Sequence, residues 1–136
     1  MPCRRRVLPA ITRTVYSIAH SEKLCLGLIG LGAMGSGLAH SLLRHFSELR
    51  GFDPNPAAME TFVRAGGTPM GSATELLDNC DCIVSSLPSG RLFEKLAHNE
   101  WLPRVREGQL FIDTTTVPPA IVESLAGAFA SKGAIL

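Results

Sequence analysis

The chain is poor in most of what would set it apart from an ordinary globular protein. Of its 136 residues 18% are charged and 6% aromatic, with a single tryptophan and a single tyrosine. No apolar run reaches the roughly 18 uncharged residues that a membrane span needs, so no membrane partner is expected. Cysteine is scarce too. Cys3, Cys25, Cys80 and Cys82 lack the C-x-x-C spacing of a zinc site and the density of a disulfide framework. His20, His40, His45 and His98 add no ligand spacing to them, so no metal is expected. The thiols read as small buried side chains in a reducing compartment. Lysine is limited to Lys23, Lys95 and Lys132.

The net charge of +1 conceals an asymmetry. Arg4, Arg5, Arg6 and Arg13 stand in the first 21 residues without a single acid, which leaves nine bases against twelve acids in the remainder. A weakly acidic body lacks the clustered basic face that phosphate contacts demand, so no nucleic acid is expected as a partner. The opening "MPCRRRVLPAITRTVYSIAHS" is instead an arm, residues 1–22, set apart from a single domain over 23–136. Leu8, Ile11, Val15 and Ile18 fall along one helical face in an Arg-, Ser- and Thr-rich context, the profile of a mitochondrial transit peptide. Pro9 interrupts that face, and a plain basic tail on a cytoplasmic protein is the alternative.

From Leu24 the chain alternates. "LCLGLI" is a continuous apolar run suited to a parallel strand buried on both faces. "AMGSGLAHSLLRHF" follows as a helix whose inward side is expected to be Leu38, Leu42, Leu43 and Phe46. "LRGFD" is a strand and "PAAMETFVRAG" a helix with Pro56 in its first turn. "TPM" is a brief edge strand, and "SATELLDNC" a helix capped by Ser72 with Glu75 three residues on. "DCIVSSLP", "SGRLFEKLAH", "GQLFIDT" and "PPAIVESLAGAFASKG" repeat strand and helix twice more. The pattern predicts an α/β fold, a Rossmann-like, doubly wound and mostly parallel sheet with helices on both faces.

Gly30-Leu31-Gly32-Ala33-Met34-Gly35 has the spacing G-x-G-x-x-G, and here a strand precedes it and a helix follows. Gly30 suits the tight turn, Gly32 the close approach of a pyrophosphate, and Gly35 close packing of helix on sheet. Asp53 closes the next strand, 18 residues after Gly35, where a carboxylate can accept from an adenosine ribose diol. A 2′-phosphate there would bring roughly −1.5 to −2 charges against a fixed anion. The following Pro54 offers no cation to balance it, so NAD is expected over NADP. The bland alternative is a glycine-rich turn in which Asp53 only caps the next helix.

At this point the chain resembles the β-hydroxyacid dehydrogenases, which share a nucleotide-binding domain with 6-phosphogluconate dehydrogenase. "GLIGLGAMGSGLA", "IVSSLPSG" and "FIDTTTVPP" are similar to three of that family's motifs, over about residues 24–136. The resemblance implies cofactor contacts at Gly30, Leu31, Gly32, Ala33, Met34, Gly35, Asp53, Leu87, Pro88 and Thr116, with Thr115 toward a small hydroxy-acid substrate. Leu38 stands where a methionine is usual, Thr115 where a serine is usual, and Leu92 where the mitochondrial branch often has a polar contact. None of the three lysines matches the family's catalytic lysine, and neither that residue's long helix nor the helical C-terminal domain is found in these 136 residues. No residue is therefore assigned to catalysis. The expectation is a hydroxyacid dehydrogenase's NAD(P)-binding domain that is inactive alone, with a non-catalytic dinucleotide-binding or scaffold module as the alternative. "KGAIL" reads as the start of a sixth strand. That strand is expected to be unformed and the fifth strand an unpaired edge, so a homodimer, aggregation or marginal stability is expected.

Overall fold

The computed structural model describes residues 24–136, so the basic arm and its targeting assignment lie outside the described residues. Five strands form one sheet: β1 (Leu26–Ile29), β2 (Arg50–Phe52), β3 (Thr68–Pro69), β4 (Cys82–Ser85) and β5 (Leu110–Asp113). Their order is β3-β2-β1-β4-β5 and every pairing is parallel. The helices between them are α1 (Ala33–Leu43), α2 (Pro56–Arg64), α3 (Ala73–Asn79), α4 (Gly90–Leu96) and α5 (Pro119–Ala130). Chain order runs outward from β1 to β3 and then returns to β4, so a switch point lies between β1 and β4. In open parallel sheets ligands bind outside the strands' carboxyl ends at such a point.

The two-residue alternation of the strands divides the core between the faces. Leu26 and Leu28 of β1 join Cys82 and Val84 of β4 beneath α1 and α2, with Leu49 and Phe62 completing that cluster. Ile29 and Ile83 point the other way, toward Leu76, Phe93, Leu125 and Phe129. All four residues of β1 and of β4 are buried, which explains why the two strands are apolar but for Ser85, whose hydroxyl has a partner in Asp113. Four aromatic rings tie α4 and α5 to β5. Phe93 meets Trp101 edge-on with centroids 5.7 Å apart, Trp101 stacks on Phe111 at 6.1 Å, and Phe111 meets Phe129 at 4.8 Å. Trp101 is thus wholly enclosed.

Two expectations need correction. On α1, Leu38, Leu42 and Leu43 do pack against the core, but the fully buried positions are Gly35 and Ala39, and Phe46 lies exposed beyond the helix end. Small residues hold the contact because the helix approaches the sheet too closely for leucines to fit beneath it. The edge of β5 is also not bare. Ile135 donates to Gln109 O at 3.0 Å and accepts from Phe111 N at 2.7 Å, so the sixth strand has begun to pair. Among the described residues no helix is long and apolar enough to cross a membrane.

Candidate functional site

The turn from β1 into α1 is shaped by two glycines. Gly30 has φ +93°, a left-handed conformation that side chains resist. A Cβ there would overlap the Ser86 carbonyl of β4's continuation, and a Cβ on Gly35 would overlap the Gly30 carbonyl. These two positions are structural. Gly32 differs, because nothing lies within 4 Å of where its Cβ would be. That open space belongs to a crevice.

Helix termini sharpen the point. Asn55 Oδ1 accepts from Ala57 N at 3.0 Å, Ser72 Oγ from Glu75 N at 3.1 Å and Ser89 Oγ from Leu92 N at 3.2 Å, so α2, α3 and α4 each carry a side-chain cap. Helices α1 and α5 start with no side-chain cap and no acid in the first turn, and of these two only α1 has its first residues, Gly32–Gly35, in the crevice. Its first N–H groups and the positive end of its dipole therefore face the crevice, the arrangement that receives an anion.

Asp53 follows the end of β2 and is held from both sides. Its Oδ2 accepts from Leu31 N at 2.8 Å and its Oδ1 from Asn55 N at 2.8 Å. Asn55, not Asp53, caps α2 through its side chain. The carboxylate is thus oriented by backbone donors, and each oxygen keeps a second lone pair for a ligand hydroxyl. Three features fit a dinucleotide: an uncapped helix start, a glycine with space above it, and a fixed acceptor next to both.

At the other end of the crevice a network fixes the turn after β5. Asp113 Oδ1 accepts from Ser85 Oγ at 2.7 Å and Thr115 Oγ1 at 2.8 Å, and its Oδ2 from Thr115 N at 3.2 Å. Thr115 Oγ1 in turn accepts from Leu87 N at 3.1 Å, and Thr114 Oγ1 donates to Ser85 O at 2.9 Å. Asp113 therefore holds the turn after β5 together. The Thr115 hydroxyl proton is committed to Asp113, which leaves a ligand only its remaining lone pair.

The crevice has a volume of about 880 Å³. Gly30, Gly32, Ala33, Met34, Gly35, Asp53, Leu87, Pro88 and Thr116 all line it, as does Thr115. Leu31 does not. Its side chain is buried beneath the turn and its N–H is spent on Asp53. No lysine, arginine, histidine or cysteine is among the lining residues, whose ionisable members are Asp53 and Glu100. Arg91 is exposed on α4 outside the crevice, and Arg50 sits at the opposite end of β2 with its Nε 2.9 Å from Glu48. Sequence reasoning missed Ser72, Thr74, Leu96 and Glu100 as lining residues. The four-residue spacing of Leu92 and Leu96 was the available signal for Leu96, and Glu100 gave none because a π turn sets its direction.

Comparison with known proteins agrees with this geometry. Residues 25–136 match the family described as the NAD binding domain of 6-phosphogluconate dehydrogenase. L-threonate dehydrogenase of Cupriavidus necator is 34% identical over 113 residues, covering 82% of this chain and 38% of that protein. Human mitochondrial 3-hydroxyisobutyrate dehydrogenase is 32% identical over 135 residues, covering 96% and 40%. The crystal structure of Mycobacterium tuberculosis 3-hydroxyisobutyrate dehydrogenase with L-serine superposes with a TM-score of 0.74 at 27% identity, over 82% of this chain and 38% of that one. The chain spans about 40% of the length of the curated relatives it matches.

Proposed function

Because the chain belongs to the family of NAD-binding domains typified by 6-phosphogluconate dehydrogenase, we propose that it is the NAD-holding domain of a dehydrogenase acting on a small hydroxy acid such as 3-hydroxyisobutyrate. One observation carries the cofactor preference. The acceptor beside the glycine turn is a carboxylate, and no basic side chain lines the crevice. A ribose diol can donate to Asp53, whereas a 2′-phosphate would meet a fixed anion with no counter-charge. The first N–H groups of α1 receive the pyrophosphate, and Leu87, Pro88 and Thr116 border the nicotinamide end. When bound, the nicotinamide gives or takes the hydride.

Proton transfer needs a group matched to neutral pH, and the crevice offers only carboxylates and hydroxyls. Lys95 and Lys132 are exposed and outside it. The chain by itself therefore binds the cofactor without turning substrate over. NAD-dependent oxidation of 3-hydroxyisobutyrate by the purified chain would overturn that statement. The defining experiment is calorimetric titration with NADH and NADPH side by side, with NADH expected to bind at least tenfold more tightly, about 1.4 kcal/mol. Equal affinities sink the assignment of Asp53.

A non-catalytic dinucleotide-binding module is the second reading, and the same lack of a proton donor favours it. Fusing the C-terminal part of the human relative restores turnover under the first reading and not under the second. Residues 1–22 are assigned as a mitochondrial import arm, in keeping with the human relative's mitochondrial name. A fluorescent protein carrying this arm that stays in the cytosol would remove that assignment.

A further inference from the structure

Resting on the assignment of this crevice to a dinucleotide, we propose that Glu100 selects the purine base: its carboxylate accepts from the exocyclic amine of a 6-aminopurine and disfavours a 6-oxopurine.

The direction of the ligand follows from the anchors. Asp53 takes the adenosine ribose and the Thr114–Thr116 turn borders the nicotinamide end, so the base lies at the Asp53 end of the crevice. There the crevice passes between the start of α3, at Ser72–Thr74, and a stripe on the next helix. That stripe is Leu92, Leu96 and Glu100. Two leucines present an apolar wall for a flat ring, and the carboxylate stands at its end.

The placement of Glu100 depends on an irregularity of the helix. After Leu96 the chain continues not as α-helix but as a π turn over Ala97–Trp101, with Leu102 N donating to Ala97 O at 2.9 Å. In an α-helix eight residues rotate the side chain by about 80° from its starting direction, which would carry position 100 off the face of Leu92. A π turn, with its i→i+5 bonding, has roughly 4.4 residues per turn, so it turns Glu100 back by about as much as the α turn before it had advanced, and Glu100 returns beneath Leu92. The same turn directs the adjacent Trp101 wholly into the core. Single π turns inside helices are frequent at functional sites, and this one brings an acid into an otherwise apolar slot.

Glu100 is exposed, and no described cation pairs with it. An ionised carboxylate only accepts. The 6-amino group of adenine only donates at that position, and the pairing is a charge-assisted bond. Hypoxanthine puts an oxygen there, and two acceptors repel. Its N1–H can recover part of the interaction only if the base shifts within the slot, against the hold of the ribose on Asp53. A partly solvated site of this kind is expected to discriminate by about tenfold.

The test is calorimetric titration of the whole chain with NADH and with its hypoxanthine analogue, which carries oxygen in place of the 6-amino group. The native chain should bind NADH about tenfold more tightly than the analogue. Glu100→Gln, whose amide both donates and accepts, should bring the two within about threefold. Glu100→Lys, which only donates, should favour the analogue. Equal binding of both ligands by the native chain overturns the inference while leaving the dinucleotide assignment intact, as does a tenfold preference that survives in both variants. Binding of neither ligand overturns the dinucleotide assignment and this inference with it. Position 100 is exposed, so both variants should fold, and unchanged thermal unfolding verifies that.

Discussion

The two ends of the parallel sheet both carry polar networks and use them in opposite ways. At the amino end the network is closed. Buried Gln109 donates from Nε2 to Leu77 O at 2.7 Å and Cys80 O at 2.8 Å, and its Oε1 accepts from Arg106 N at 3.1 Å. Arg106 Nη2 reaches the same two carbonyls at 3.3 and 2.9 Å, and Cys25 Sγ donates to Cys80 Sγ at 3.3 Å. Every group of Gln109 is satisfied within the chain, and the last carbonyls of α3 are capped. At the carboxyl end the same bonding is used to hold open groups in place. Asp53 and Asp113 are fixed by internal donors, yet the start of α1 has no cap and Gly32 has nothing above it. A network that leaves no valence spare stabilises, and one that orients unspent donors and acceptors binds.

The sharpest way to break this contrast is inside the glycine turn itself. Gly35→Val places atoms on the Gly30 carbonyl and should destabilise by roughly 3 kcal/mol or more, with NADH binding lost alongside. Gly32→Ala meets no protein atom and has φ −66°, so unfolding should be unchanged. Its methyl group occupies the approach to the helix N-terminus, and NADH affinity should fall by about tenfold or more. Thermal unfolding and calorimetry on both variants separate the roles. Equal loss of stability in the two would mean that Gly32 belongs to the fold and not to the crevice.

The closed end has a signature in alkaline solution. Burial pushes the Cys80 thiol up to about 12 and the Cys82 thiol up to about 11, from an ordinary value of 9.0. Both folded values lie above the unfolded one, so their contribution is complete below pH 9 and is lost as the pH rises toward 11 and 12. In that window stability should fall by about 1.4 kcal/mol per pH unit for each thiol. Urea unfolding from pH 8 to 10.5 follows it, and the Cys80→Ala, Cys82→Ala double variant should show a flatter profile than the native chain. Identical slopes would place the alkaline loss elsewhere.

Much of this contrast is legible in the sequence, and the rest is not, for identifiable physical reasons. The strands β1 and β4 announce themselves because burial on both faces demands apolar sequence. The glycine turn is legible because close backbone contact admits only one residue type at Gly30 and Gly35. Leu31 is a contact by family resemblance alone, and in this turn its side chain is buried and its N–H donates to Asp53. Phe46 was placed on the buried face of α1 by periodicity, which counts apolar residues and cannot see that the helix lies too close to the sheet for large ones. Glu100 escaped notice because π geometry, not α geometry, decides where it points. Gln109 gave no signal at all. A polar residue one position before a strand reads as a loop until the carbonyls of α3 are seen beside it.

Gln109→Ala tests the closed end directly. Removing the side chain leaves the Leu77 and Cys80 carbonyls with Arg106 alone, and unsatisfied buried groups cost about 1–3 kcal/mol. Stability should fall by about 2 kcal/mol in chemical denaturation, and NADH affinity should stay within about twofold. A large loss of NADH binding would show that the two ends are coupled through β5.

The smallest expected effect is the most specific to the open end. Asp53→Asn keeps a side-chain oxygen that can accept from Leu31 N or Asn55 N, so the glycine turn should hold its shape. It removes the anion and adds an amide donor. For NADH the ribose loses a charged acceptor, a change of about 0.5–1 kcal/mol. For NADPH the fixed repulsion of the 2′-phosphate disappears and the new N–H can donate to it, so its affinity should rise while that of NADH falls. The ratio of the two dissociation constants should therefore move by about tenfold toward NADPH, the sum of two small changes of opposite sign. Parallel titrations measure it, and raising the salt concentration should shrink the native chain's discrimination by screening the same repulsion. A ratio that does not move, with both affinities reduced alike, would mean that Asp53 serves the turn alone and that the open end recognises its ligand elsewhere.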